Sequence, residues 1–542
     1  LSVQVVDATS ACGFSIPSSG SLSPTLIAAM RLSRDNRGML ITAQLVLAIA
    51  LSATSDSLDD RVAKALAMTG GNRKEIESFL AKYASSGDAE KADAARWLVA
   101  NMEGHGFAEM TLCDREGKPI AFDALDYKNL TEAKAALDAI EREHPGADFR
   151  KTRFDSDLEH ASATFLSDHL DGAFEAWRTM PWAKSVRYEA FREHILPYRG
   201  SNEPLSSWRA PARARLVELC LAENKNFDVL VVGEKVRGTV HPWTGFTDLF
   251  YLHPTDQSYD EMCVRKLGRC EDITNMVSFG MRSVATMCAS DYTPWWAASD
   301  NNHAWEVVLD AKGQGRAGLA GRAAKVYRKT FAHQSLSLGA IKNPDEVVPR
   351  WLASTHYSDV TAQYQPTSDV PVTIDTPKDN RFAYLAVFNG GQWRPIHWSK
   401  IQDSMATFDS MGRNICYLPM LHMKGRDEPA GAPFILDIDG VVHPLLAHTA
   451  STISLLATST KPDITDPDTG VVKARTIVNP DAAYELFVWK NAGWQSLGRV
   501  EKGEASHTFE NLSADGLYWL VQDGSEKLER IFTVDDGQQV FW

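Results

Sequence analysis

The sequence predicts a multi-domain α+β protein, with a helical N-terminal region, an α+β core at its centre and β-sandwich-type domains at its C-terminal end. Three observations carry this. The 542 residues exceed what one hydrophobic core organises. Apolar residues recur at helical spacing from Ser57 to roughly Glu223, and beyond about residue 336 they fall into short runs divided by turn signals. The expected domains are 57–225, 226–335, 336–447 and 448–542. A hydrophobic content of 44% and a charged content of 23% are ordinary for a soluble globular chain. The net charge of -14 argues against nucleic acid as a partner, because phosphate binding needs a basic surface.

In chain order, the first signal is Arg31, Arg34 and Arg37 followed by the apolar run Met39 to Leu51. Basic residues, about a dozen apolar ones and small residues near Ala53 make a secretory signal over 30–53. A buried helix fits the same run. A membrane span needs about 20 apolar residues, so none is expected in the mature chain. On the export reading Met30 is the natural start and 1–29 is a leader without function, which places the protein in a secreted or periplasmic setting. Cys113, Cys220, Cys263, Cys270, Cys288 and Cys416 show no CxxC and no metal-finger spacing. Export permits one or two disulfides, but spacing assigns none; no metal and no cofactor are expected.

Within the helical region Ile76, Phe79, Leu80 and Tyr83 fall on one helix face. Ala94, Trp97 and Leu98 form a second stripe, and Leu170–Trp177 and Ala212–Leu221 read alike. From about 225 the pattern changes to short strands around one helix: FDVLVV as a buried strand, CEDITNMVSFGMRSV as the helix and HAWEVVLD as a further strand. Beyond that, Tyr384–Phe388 and Trp393–Trp398 flank Asn389-Gly390-Gly391 as a hairpin. Strands follow at YELFVWKNAGWQSLG, GLYWLVQD and RIFTVDDGQQVFW, the last with an Asp536-Gly537 turn.

The chemistry centres on Cys270 and His303. Cys270 opens the expected helix two residues after Gly268, where the helix N-terminus favours a thiolate. A buried structural cysteine fits the same position. His303 alternates with Trp305, Val307 and Leu309 on one strand face. That face is expected to turn inward, so that the imidazole meets the helix-borne thiol across the helix–sheet interface and activates it.

The stretch LGRCEDITNMVSFGMRSV…DYTPWWAASDNNHAWEVVLD resembles the core of the transglutaminase-like superfamily. It carries G-x-C opening a helix, Met-Arg near the helix end, Tyr-x-Pro-Trp, then His-Ala-Trp on a strand. The resemblance extends over most of 57–542 to a subgroup of exported bacterial proteins. It implies a papain-like α+β core in which Cys270 attacks an amide carbonyl to form a thioester and His303 is its base. The Cys270 N–H would be one oxyanion donor, with Trp243 and Tyr259 as candidates for the second. The family's third residue, an Asp on the following strand, has no counterpart: no Asp, Glu or Asn occurs between Ala311 and Asn343. Asp310 lies on the opposite face, roughly 23 Å away at about 3.3 Å per residue. Tyr292, Trp295, Trp296, Trp305 and Asn302 are substrate-contact candidates, and a core role fits the aromatics equally. His241, His333, His397 and His422 show no partner pattern.

The expected activity is amide hydrolysis by an exported thiol enzyme acting on a peptide, protein or glycopeptide, including asparagine-linked glycopeptide cleavage as in one branch of the superfamily. The alternative is a non-catalytic binding or scaffold protein, with cell-surface polysaccharide as a partner for the β-domains.

Overall fold

The computed structural model describes residues 57–222, 227–319, 321–374, 380–446 and 481–503, shorter stretches between 509 and 542, and two-residue strands at 464–465 and 472–473. The leader and signal segment (1–29 and 30–53) and the Asp536-Gly537 turn lie outside these residues. The protein is a mixture of helix and sheet, with helices concentrated in the N-terminal part and strands in the C-terminal part.

The helical part opens with α1 (Leu58–Ala67), α2 (Arg73–Ala84) and α3 (Ala89–Ala100). Ser57 caps α1 by accepting the Asp60 N–H at 3.1 Å while the Asp60 carboxylate takes the Ser57 N–H, which satisfies two orphan donors at once. Ile76, Phe79 and Tyr83 of α2 and Ala94, Trp97 and Leu98 of α3 are buried, as their spacing predicts. Next come α4 (Leu130–Glu143), α5 (Ala163–Thr179), α6 (Tyr188–His194) and α7 (Arg209–Ala222). The all-helical expectation for 57–225 needs one correction. An antiparallel pair, β1 (Gly106–Cys113) with β2 (Asp148–Ser156), interrupts it. In β2 most residues are exposed or half-buried, so no apolar period marks it.

A second correction concerns FDVLVV. Val229–Val240 is a helix, α8, whose Asp228 cap accepts the N–H groups of Leu230 and Val231. Val229, Val232, Val236 and Val240 are its buried residues, a helical spacing that the density of β-branched side chains disguises as strand. Then α9 (Tyr259–Arg265) leads to α10 (Cys270–Ser283).

The central sheet has four antiparallel strands in the order β4-β3-β5-β6: β3 (Cys288–Thr293), β4 (His303–Val308), β5 (Tyr327–Lys329) and β6 (Tyr357–Asp359). Register sets Tyr292 opposite both Ala304 and Tyr327, and Asp291 opposite both Trp305 and Arg328. Residues that face one another across strands share a sheet face. Ala304, Glu306 and Val308 therefore lie with Tyr292 and Lys329, and Lys329 forms an ion pair with Glu271 of α10. This is the face that α10 covers. Every α10 residue from Asp272 onward is buried, with Trp208 stacked on Phe279 at 4.8 Å. One contiguous core runs from Ala65 in α1 to Val360 beyond β6, so the helices and the sheet are stabilised together.

Two β-rich units follow. The first pairs β7 (Thr367–Thr373) with β10 (Met405–Gly412). Its main sheet has the order β9-β8-β11-β13-β14, from β8 (Phe382–Asn389), β9 (Gln392–Lys400), β11 (Ile415–Met423), β13 (Phe434–Leu436) and β14 (Val442–Pro444), with β12 (Arg426–Pro429) on β11. The expected hairpin is β8–β9, with Gly390 and Gly391 at φ of 58° and 71°, the left-handed region glycine tolerates. The second sheet has the order β16-β15-β17-β18-β19, from β15 (Tyr484–Lys490), β16 (Gly493–Val500), β17 (Tyr518–Gln522), β18 (Ile531–Asp535) and β19 (Gln538–Phe541). Phe388, Trp489 and Trp519 share one core cluster across the two units. The described cysteines (Cys113, Cys220, Cys263, Cys270, Cys288 and Cys416) are all free thiols. Among the described residues no helix is long and apolar enough to cross a membrane.

Candidate active site

Cys270 is the first residue of α10. The turn before it is built for close approach: a Cβ on Gly268 would meet Asp272 Cβ at 2.6 Å and Gln257 Nε2 at 3.0 Å, which explains the glycine of G-x-C. Asp272, in the helix's first turn, accepts the Arg269 N–H at 2.9 Å and the Gln257 N–H at 3.1 Å. The Arg269 guanidinium donates to Asp256 Oδ1 at 2.5 Å and to the Pro254 carbonyl at 2.9 Å. Burial pushes the Cys270 thiol above its ordinary pKa, and the backbone N–H groups of Ala304 and Glu271, with the Arg269 charge, pull the other way. The sulfur thus rests against the start of β4, at the residue after His303.

The imidazole lies elsewhere, which corrects the expected facing. His303 alternates with Ala304 and sits on the Trp305 side of the sheet, away from α10. Its ring stacks on Trp305 at 5.5 Å and Trp296 at 6.3 Å. No hydrogen bond joins ring and thiol. A cavity of about 120 Å³ adjoins it, lined by Trp296, His303, Trp305, Glu306, Arg237 and Leu319. Burial lowers the His303 pKa, against the raising influence of the Glu306 and Glu271 charges. Glu306 itself pairs with Arg237 at 3.2 Å and lies 3.8 Å from His241 Nε2. No described carboxylate hydrogen-bonds the His303 ring. Asp310 closes a local turn, accepting the N–H groups of Lys312 and Gln314 at 2.9 and 3.0 Å.

The aromatic cluster is divided. Trp296 and Trp305 stack in parallel at 6.4 Å beside His303. Trp295 points the other way, under Arg394 of β9 at 5.0 Å. Tyr292 is on the α10 face, 6.0 Å from Tyr327. Asn302 is exposed. Neither oxyanion candidate is at the sulfur: Trp243 carries Arg215 over its ring at 3.2 Å, and Tyr259 packs on Phe279 at 6.2 Å. The tyrosine near the thiol is Tyr251, which the Cys270 charge and burial push up to about 12 and whose hydroxyl meets the Asn301 side chain. Nothing in the local sequence marks it.

Asn389 was equally unmarked as a site residue, since it reads as a hairpin turn. Its buried amide donates to the carbonyls of Trp296, Ser299 and Asn301 at 3.0, 3.0 and 2.9 Å and accepts the Asn301 N–H. Arg530 of the last unit donates to the Ala297 carbonyl at 2.6 Å. The loop that delivers His303 is therefore held by both β-rich units.

No family model and no curated protein matches the chain.

One further cluster has a metal-like donor set: Asp359, His397 and Asp409 offer ligand atoms within 4.8 Å of one another. The Lys325 ammonium fills it, donating to Asp359 Oδ2 and to the Asp409 carbonyl at 2.5 Å each. The His397 ring is hydrogen-bonded to Tyr327 at 2.9 Å and Asp409 at 3.0 Å. This is a satisfied network, buried at His397 and Lys325 and open to solvent at Asp359 and Asp409, that ties the central sheet to the first β-rich unit. His422 is paired with Asp427 at 2.6 Å.

Proposed function

We propose that the chain is an exported thiol acyl-transfer enzyme with a transglutaminase-like core, hydrolysing an amide bond in a peptide, protein or glycopeptide. The observation that carries this reading is the thiol at a helix N-terminus held against the backbone of Ala304, one residue from the only histidine on that strand. The basic and apolar segment over 30–53 supports export. In the reaction, the start of β4 rotates as substrate enters and brings the His303 ring to the sulfur, since turning the side chain alone would leave it on the other face of the sheet. His303 takes the thiol proton as Cys270 attacks the carbonyl carbon. The C–N bond breaks, His303 passes the proton to the leaving amine, and a water then cleaves the thioester to acid and free thiol. The Cys270 N–H and the Tyr251 hydroxyl are the candidate donors to the oxyanion.

A second reading, a scaffold that keeps the fold without turnover, is favoured by one observation: no described carboxylate hydrogen-bonds the imidazole to orient it. An electrophilic thioester probe on the full chain separates the two. Acylation mapped by mass spectrometry to Cys270, abolished in His303→Ala and in Cys270→Ala with unchanged circular dichroism, supports the enzyme. Absence of label at Cys270, or equal labelling in His303→Ala, leaves the scaffold.

A further inference from the structure

We propose that the half-open cavity between the 197–202 loop, α6, α10 and β3 binds a small organic carboxylate of amino-acid size, held by Arg282 and Ser290. The cavity measures about 160 Å³, comparable to the ~150 Å³ that accommodates a benzene-sized guest. Its wall mixes apolar surface with polar and charged side chains, unlike a packing defect. Arg282 is 8% exposed and donates through Nη1 to the carbonyls of Arg199 at 2.6 Å and Pro197 at 3.4 Å, while its Nε has no partner. It forms no ion pair with any described carboxylate. Ser290, 5% exposed, presents an Oγ that is also without a partner. A buried cation without a direct ion pair is unfavourable, and a guanidinium committed through Nη1 keeps its Nε–Nη2 edge, the fork that matches the two oxygens of a carboxylate.

The other lining charges select the guest. Lys329 is paired with Glu271, and Arg199 with Asp157; Arg282 is left facing the more distant charges of buried Glu193 and Glu203, so a guest that carries both signs of charge suits the cavity better than phosphate. Glu193 also lines the cavity, with its carboxyl engaged by the Phe331 N–H at 3.1 Å. Above pH about 7, where this carboxyl ionises, it suits the ammonium of a zwitterion. Arg282 lies twelve residues along α10 from Cys270, roughly 18 Å at about 1.5 Å per residue, so the carboxylate-binding end of the cavity does not depend on the proposed reaction, while Lys329 and Tyr292 at its other end reach towards the residues beside the thiol.

The test is saturation-transfer NMR and calorimetry of the full chain with L-alanine, acetate and inorganic phosphate at millimolar concentration. L-alanine binding best, acetate more weakly and phosphate least supports the proposal. Ser290→Ala should weaken L-alanine binding about fivefold, the worth of one hydrogen bond, at an unchanged melting temperature. Ser290→Val should fill the space and abolish binding, and Cys270→Ala should leave it unaltered. No saturation transfer from L-alanine, or equal binding by Ser290→Val, would mean a cavity filled by water alone and overturns the proposal.

Discussion

Opposed influences meet on the Cys270 sulfur. Burial favours the thiol, whereas the helix N-terminus and the Ala304 N–H favour the thiolate. Since the imidazole is not bonded to it in the resting protein, iodoacetamide should alkylate Cys270 more slowly at neutral pH than a free thiol of pKa about 8.5. His303→Ala should leave that basal rate unchanged. A wild-type rate exceeding that of the free thiol would show a resting ion pair. Glu193 yields a second prediction. Burial raises its pKa to about 7, so the folded state holds a proton that the unfolded chain releases near the ordinary carboxyl range. The resulting stabilisation is complete at acid pH and is lost as pH rises towards 7, by about 3 kcal/mol at most. Urea unfolding of Glu193→Gln should match wild type near pH 4 and exceed it near pH 8; equal differences at both would refute the shift. Cys270 and His303 were legible as residue types in the sequence. The direction of the ring was not, because alternation fixes which residues share a face but not which face the helix covers.

The elements carry the same lesson. Residue spacing identified α2, α3, α10 and β4, and the Asn389-Gly390-Gly391 turn identified the β8–β9 hairpin. Spacing failed at β2, which buries almost nothing, and at α8, where valines on a helical stripe look like strand. The packing of α8 is itself testable. A Cβ on Gly233 would meet Val308 Cγ1 at 2.7 Å and Met281 Cε at 3.3 Å. Gly233→Ala gains up to about 1 kcal/mol of helix propensity but overpacks the junction of α8, α10 and β4 by about 1–3 kcal/mol. A net loss in chemical denaturation is expected; a more stable variant would show that the junction yields.

Across the whole molecule, the two β-rich units hold the loop before His303 through Asn389 and Arg530, a dependence that no local pattern in the sequence announces. Asn389→Ala removes the amide NH2 that bonds to three carbonyls of that loop. It should lower thioester-probe labelling at Cys270 several-fold, with the basal iodoacetamide rate unaltered. If labelling persists, the β-rich units serve another purpose, such as polysaccharide binding. The separate, free state of the six described sulfurs has a different consequence. Among the described residues the fold needs no oxidant to close it, yet a nascent chain exported as proposed would display them all before burial protects them. Renaturation from urea should therefore recover more native protein with a reductant present than with a glutathione couple poised to oxidise, and export of such a chain would favour rapid collapse or an escort that shields its thiols.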